Sequence, residues 1–540
     1  METRNYLTAC ISIITLSIAT LSFYFWFTAE DAYIYMRYAE NFIDFGALVF
    51  NKGEPVSTMT SPLQALVYSF FYKLTGSTLI PNKILSIFLL FATVFLALWH
   101  FKKERYCQII VLSVLLLSPC ILLWTVGGLG TPMLMLTATA LTVLAYTDKR
   151  PEAPKIIAVS IIAGLAFFMR QDSVLFTAPL VLQLFIRSHN LKISVLAALI
   201  GAIIPLTWLV VAFVYYGDIL PTGYYVKPPS YGFKKLLFNA TYIFQFLICV
   251  GIIPYLAFLF CFSGSKQKLG KRCLCHLRRH WGLCLGIMLV IIYGFTMATV
   301  HMMFSFRFFV PFIPALTILV AGLFSQYAEP AEKASKPVPL FRYFGIFLIM
   351  ILLFQAFQAV YTFKKSLNGI SQNGEYREIG IEGYSKEFMP TLAENALDIR
   401  SHWKNLNKDR PPRIFTFAAG VLPYNYKEAF IYDILSSYRH NCWWYDRRLS
   451  ADYIHILIPG HGTLANQLLP TEKYYNYMMG RKARKIVEKR PHKTFEGYQL
   501  ISSRTIIFYG SRQHLLVYYN PHPEPNRQPP GIGDECSNLQ

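Results

Sequence analysis

Residues 1–362 of this 540-residue chain contain repeated apolar runs of about 16–24 residues, the length a helix needs to cross a ~30 Å hydrocarbon core. Eleven such runs are legible, at 7–28, 80–101, 107–124, 131–146, 155–169, 172–187, 192–215, 241–262, 281–300, 306–324 and 341–362. A soluble core cannot bury that many apolar helices. The expected class is therefore an α-helical multi-pass membrane protein with about 11 transmembrane helices. The runs 155–169 and 172–187 are short enough for one pair to form a re-entrant hairpin. Composition points the same way. Only 15% of residues are charged, against about 25% in soluble domains, and mean hydropathy is +0.37 although a long polar tail is included. Disorder, collagen and small disulfide scaffolds each need another composition and are excluded.

A net charge of +21 invites a nucleic-acid reading, so its placement has to be checked. Residues 1–362 hold 27 Lys and Arg against 13 Asp and Glu. If Met1 is cytoplasmic, so are the connections 102–106, 147–155, 187–192, 263–280 and 325–342, and with Arg4 they carry 18 of the 27 basic residues. Basic residues near helix ends favour the cytoplasm. The charge is then a topology signal, and no nucleic-acid partner is expected. An odd helix count puts residues 363–540 outside. The first run is long, lacks a small-residue cleavage pattern, and reads as a signal anchor.

The division that follows is a transmembrane domain over 1–362 with a long exterior loop at 29–79, an exterior α/β domain over 363–520, and a disordered, Pro-rich tail at 521–540. In the loop, Leu48-Val49-Phe50 looks like a strand, and Ser61-Pro62 opens a helical stretch too short to span, suited to the interface. In the exterior domain, 413–419, 453–458 and 504–509 alternate like strands, while 385–406 and 471–487 have helical character. Beyond residue 362 only Cys442, in this domain, and Cys536, in the tail, are present, which leaves room for one bridge and no disulfide framework. The cluster Cys273, Cys275, His276, His280 and Cys284 fits no familiar zinc spacing and reads as part of a basic cytoplasmic turn.

Chemistry concentrates on the exterior side. Glu30 and Asp31 are acidic neighbours where the first helix ends, suited to general-base work. Arg170 and Arg307 sit at outer helix ends. Each alone would suit an anchor in the headgroups; facing a cavity that holds two carboxylates, their guanidiniums suit a phosphate gripped two-pronged. Lys227 would add a point charge, His301 a hydrogen bond, and Tyr33, Tyr35, Tyr224 and Tyr225 aromatic surface for a sugar.

Several stretches together resemble a family: Glu30-Asp31-Ala32-Tyr33-Ile34, Arg37-Tyr38-Ala39, Val49-Phe50-Asn51-Lys52-Gly53-Glu54 and Thr60-Ser61-Pro62-Leu63. Gly128-Leu129-Gly130-Thr131-Pro132, Arg170-Gln171-Asp172, Tyr224-Tyr225-Val226-Lys227, Arg307-Phe308-Phe309-Val310-Pro311 and Ala418-Ala419-Gly420-Val421-Leu422-Pro423-Tyr424 follow in the same order. This pattern resembles the GT-C class of polyprenyl-phosphate-dependent membrane glycosyltransferases, nearest the mycobacterial terminal arabinofuranosyltransferases. Gly130 stands where relatives carry Glu, and Gln171 where they carry Pro, so the family's sugar is not carried over.

The resemblance implies an inverting glycosyltransferase in a bacterial inner membrane. It would move a sugar, a pentofuranose among the candidates, from a polyprenyl-phosphate donor to a glycan or glycolipid acceptor. Asp31 or Glu30 would be the base. Arg307, Arg170 and Lys227 would attend the donor phosphate, and Arg37, Tyr33, Asp172, Tyr224 and His301 would touch substrate. No cofactor is required, though the paired acids leave room for a divalent metal. The competing reading is a lipid-linked glycan transporter or flippase, which needs ionisable groups near the membrane midplane rather than on one side.

Overall fold

The computed structural model describes residues 3–147, 150–226, 233–250, 252–256, 266–296, 304–332, 352–353, 355–356, 369–370, 376–377, 381–416, 418–433, 451–458, 494–495, 498–508 and 511–523. Ten helices account for the first 216 residues: α1 (Thr3–Tyr24), α2 (Glu30–Phe45), α3 (Pro62–Thr75), α4 (Leu79–His100), α5 (Arg105–Leu117), α6 (Pro119–Val126), α7 (Thr131–Ala145), α8 (Ala153–Met169), α9 (Val174–Ser188) and α10 (Leu191–Tyr216). Further on come Phe233–Cys249, Lys266–Arg279, Trp281–Thr296 and Ile313–Glu332. Ten of the eleven apolar runs thus carry helix; the last, 341–362, lies almost wholly outside the described residues.

By length and apolar character, α1, α4 and α10 can each cross a membrane alone. Two bent pairs raise the number to five: α5 with α6, which meet at 53°, and Gly270–Arg279 with Trp281–Thr296, at 87°. The first bend falls at Pro119, which has no N–H to continue the ladder of α5. The second bend makes the expected basic turn into a helix of its own. There His280 stacks on the Tyr146 ring at 3.8 Å, and His276 meets the Tyr146 hydroxyl at 3.1 Å. Among the described residues no three His, Cys, Asp or Glu side chains gather to hold a metal. Helices α7 and α8, at 15 and 17 residues, are shorter than a full span.

Lipid supplies no hydrophobic drive between helices, so close packing depends on small residues. Ser160 and Gly164 on α8 face Gly201 on α10: a Cβ on Gly201 would lie 2.6 Å from the Ser160 carbonyl oxygen, and one on Gly164 would meet the Gly201 carbonyl. Gly282 and Gly286, four apart, do the same against α9, where added Cβ atoms would approach the Pro179 and Phe176 carbonyl oxygens to 2.5 and 2.7 Å. Outward, Phe88 and Phe95 on α4 and Leu199, Ile203 and Phe213 on α10 are exposed, an apolar belt suited to acyl chains.

Loop 29–79 holds two helices instead of a strand. The run Leu48-Val49-Phe50 pairs with no strand because side chains take its carbonyls: Asn41 donates to Val49 O and Phe50 O at 2.9 and 3.0 Å, and Arg37 Nε to Phe50 O at 2.8 Å. The helix opened by Pro62 is present as α3.

The C-terminal residues form a mixed sheet of six strands, β1 (Arg413–Thr416), β2 (Phe430–Asp433), β3 (Tyr453–Ile458), β4 (Thr494–Phe495), β5 (Tyr498–Phe508) and β6 (Ser511–Tyr519), in the order β2-β1-β3-β6-β5-β4. The β2-β1-β3 half is parallel and the rest antiparallel. Helix Met389–Asn405 buries Leu392, Ala396, Ile399 and Trp403, an i, i+4, i+7, i+11 stripe. Arg504 of β5 holds its polar edge through Asp398 and Glu394, at 2.8 and 3.0 Å. The expected helix over 471–487 falls outside the described residues.

Candidate active site

Three segments far apart in sequence meet around the first turn of α2. The chain leaves α1 through residues 25–29, held by the buried Lys83 ammonium, which donates to Phe25 O and Phe27 O at 2.6 and 2.7 Å, and by Ala29 N–H on Gly127 O at 2.9 Å. Glu30 and Asp31 then open α2, where negative charge suits the free N–H groups of a helix start. Ala29 offers no side-chain cap, and the Tyr384 hydroxyl takes that place by accepting from Glu30 N–H at 2.8 Å. Burial, and then the neighbouring Glu30 and Asp31 carboxylates, push the Tyr384 phenol well above its ordinary value, so it stays protonated.

The two acids diverge. Glu30 turns its Oε1 to the backbone N–H groups of Gly420 and Val421, the latter at 3.3 Å. Its carboxylate thereby docks the C-terminal segment onto α2. Asp31 faces the other way, 45% exposed, and accepts from Arg307 Nη1 at 2.6 Å. Arg307 follows Ser305 and Phe306, both in the left-handed backbone region at φ 51° and 56°, which L side chains seldom adopt. That backbone turns the guanidinium over the Trp124 ring, 5.2 Å from its centroid, while Trp124 Nε1 donates to Ser305 O at 3.2 Å.

A second pair sits beside the first. Arg170 and Asp172 flank the break between α8 and α9 and bond two-pronged, Nε to Oδ1 at 3.0 Å and Nη2 to Oδ2 at 2.5 Å. Arg170 lies over Phe308, next in sequence to Arg307, at 5.1 Å. Tyr35, buried on α2 and bonded to Thr60 at 2.9 Å, lies close to both pairs. Burial holds its phenol above the ordinary value, opposed by the Thr60 hydrogen bond and then by Arg307 and Arg170, with Asp31 adding to the rise. Tyr224 lies near Asp172 and Arg170. The structure therefore brings together Asp31, Arg307, Arg170, Asp172 and Tyr224 from the expected set, with Glu30 alongside.

Other expected residues stand apart. Arg37 is only 3% exposed and spends its donors inside the protein, on Phe50 O and Ala429 O at 2.8 Å each and Pro423 O at 2.5 Å, so it fastens α2 to the C-terminal segment rather than reaching a ligand. Tyr33 packs edge-on against Tyr424, ring centroids 5.2 Å apart. Lys227 and His301 lie outside the described residues, as does the side chain of Tyr225. Asn51 bridges the same joint as Arg37, accepting from Ile431 N–H at 3.0 Å and donating to Ile431 O at 2.8 Å. Gly130 has a local explanation: a Cβ there would come within 2.9 Å of Gln64 Oε1, so Gln64 fills the space an acidic side chain would need. Sequence reasoning missed Tyr384, Trp124 and also Tyr293, whose ring packs against Phe308 at 5.6 Å beside Arg170; each lies within an ordinary apolar or mixed stretch, and no local pattern marks them.

This arrangement of apolar helices, with a charged cluster gathered where helices end, has a fold shared with solved structures. Solved structures it is similar to include two of ArnT from Cupriavidus metallidurans. The apo form superposes with a TM-score of 0.53 at 12% identity, covering 94% of this chain and 98% of that one. The form bound to undecaprenyl phosphate gives 0.52 at 11% identity, over 96% and 98%. No family model matches the sequence, and no curated protein does.

Proposed function

We propose that this protein is an inverting glycosyltransferase using a polyprenyl-phosphate sugar donor. The observation that carries the reading is Asp31, a half-exposed carboxylate at a helix start, paired with Arg307 in a fold shared with a protein crystallised on undecaprenyl phosphate. Asp31 takes the proton from an acceptor hydroxyl. The acceptor oxygen attacks the anomeric carbon, the carbon–oxygen bond to phosphate breaks, and its electron pair leaves on the polyprenyl phosphate. Arg307 stabilises the charge growing there, an effect whose removal costs about 3–4 kcal/mol of barrier. Glu30 is the positioning partner, because its carboxylate is spent on Gly420 and Val421. Lys227 and His301 are proposed contacts on sequence grounds. The transfer needs no metal.

The 18-to-9 basic asymmetry supports a cytoplasmic N-terminus and an exterior C-terminal unit, and the fold supports a bacterial inner membrane. The acceptor is proposed to be a cell-envelope glycan or glycolipid. A flippase would need its charges near midplane, whereas these gather at helix ends. The test is transfer of labelled sugar by purified protein in detergent from a panel of polyprenyl-phosphate sugars. A product of inverted anomeric configuration is expected. Consumption of no donor, with the protein folded, would sink the reading.

A further inference from the structure

Asp172 accepts one hydrogen bond on each carboxylate oxygen, both from Arg170, and is 12% exposed. Each oxygen keeps a lone pair, and Arg170 keeps Nη1 uncommitted among the described residues. Beside this pair stand two tyrosines whose hydroxyls make no hydrogen bond among the described residues, Tyr224 and Tyr293. The Tyr293 ring packs against Phe308 at 5.6 Å, and Phe308 carries the Arg170 guanidinium on its face. With no partner among the described residues, each phenol stays open to water, which a ligand hydroxyl can displace. What these groups offer is a neutral set of donors and acceptors beside aromatic surface. That chemistry suits a polyol, since a carboxylate and a guanidinium each span vicinal hydroxyls and a ring face accepts sugar C–H groups. It suits a phosphate poorly, because Arg170 already gives two donors to Asp172, whose negative charge would face any anion bound at the remaining Nη1. Arg307 is less committed, with a single bond to a half-exposed partner.

Resting on the glycosyl-transfer reading, we propose that Arg170, Asp172, Tyr224 and Tyr293 form a carbohydrate subsite separate from the phosphate contact at Arg307. The hydroxyls it grips belong to the donor's sugar or to the acceptor.

The test measures binding, so it stands whether or not transfer is detected. The probes are undecaprenyl phosphate, undecaprenyl phosphates carrying glucose or arabinofuranose, and the methyl glycosides of those sugars as acceptor mimics. Tyr224→Phe and Tyr293→Phe each delete one oxygen and preserve packing. Each should weaken the sugar-dependent part of binding about threefold to tenfold, the range for one lost hydrogen bond. Binding of bare undecaprenyl phosphate should stay within about twofold. Loss confined to the glycosylated lipids assigns the subsite to the donor; loss confined to the methyl glycosides assigns it to the acceptor. Arg170→Lys should likewise spare the bare lipid. Equal sugar binding by wild type and both phenylalanine variants would overturn the subsite, as would loss of bare-lipid binding in Arg170→Lys matching that in Arg307→Lys. A transfer assay that fails while these losses appear would remove the reaction and keep the subsite.

Discussion

Replacing Glu30 and Asp31 separately should split two functions that sit side by side in sequence. Asp31→Asn removes the base while keeping size and a hydrogen-bonding oxygen, so turnover should fall about 10²–10⁴-fold, the usual share of general-base catalysis. Glu30→Gln keeps an acceptor for Gly420 and Val421 N–H and loses only the charge. Charge-assisted hydrogen bonds contribute about 1.5–3 kcal/mol and neutral ones about 0.5–1.5. One of the two bonds here is long at 3.3 Å, so the docking of the C-terminal segment should weaken by about 1–2 kcal/mol. Arg37 and Asn51 hold the same joint through several further hydrogen bonds, so the docked state still dominates. Turnover in Glu30→Gln should therefore drop less than about tenfold. Amide exchange over 418–431 should accelerate in that variant and stay unchanged in Asp31→Asn. Single-turnover transfer of labelled sugar and hydrogen-exchange mass spectrometry read the two effects. If Glu30→Gln is as inactive as Asp31→Asn with protection of 418–431 intact, the assignment of the base is wrong.

Three other outcomes follow from the same structure. Lys83→Met removes two charged hydrogen bonds from the carbonyls of Phe25 and Phe27, so it should cost about 2–4 kcal/mol, read as a lower melting temperature in detergent together with slower turnover; wild-type melting would show that the link does not hold the α1–α2 connection. Gly286→Leu should separate α9 from Trp281–Thr296 and destabilise by several kcal/mol, since no space exists beside the Phe176 carbonyl; unchanged melting would mean that those helices do not pack closely. His455, fully buried between Asn395 and Thr416, is pushed down to about 3 by burial, against about 6.5 when unfolded. The unfolded chain then binds the extra proton first, so stability is lost as pH falls below about 6.5, by about 1.4 kcal/mol at pH 5.5 and more towards pH 3. Amide exchange of β1 and β3 between pH 7 and 5 should show that slope after correction for intrinsic exchange rates, and His455→Gln should flatten it.

Much of this protein was legible because its strongest signal is local and additive. An apolar run shows itself residue by residue, and ten of the eleven runs carry helix where they were expected. The expected sidedness rests on a signal of the same kind, a count of basic residues. The bends were not legible, because the 87° corner at His280 sits against Tyr146, more than 130 residues earlier in the chain. The Leu48–Phe50 run misled because its alternation suits a strand, while side chains of Arg37 and Asn41 took the carbonyls a neighbouring strand would need. The acidic pair marks the limit most clearly. Sequence placed Glu30 and Asp31 together at a helix mouth and offered no way to choose between them. Consecutive residues on a helix point about 100° apart, so each acid meets a different part of the chain. Glu30 finds Gly420, 390 residues away, and Asp31 finds Arg307, 276 residues away. The chemistry available at such a site is set by residue type, but which carboxylate stays available for it depends on contacts that exist only after the chain has folded.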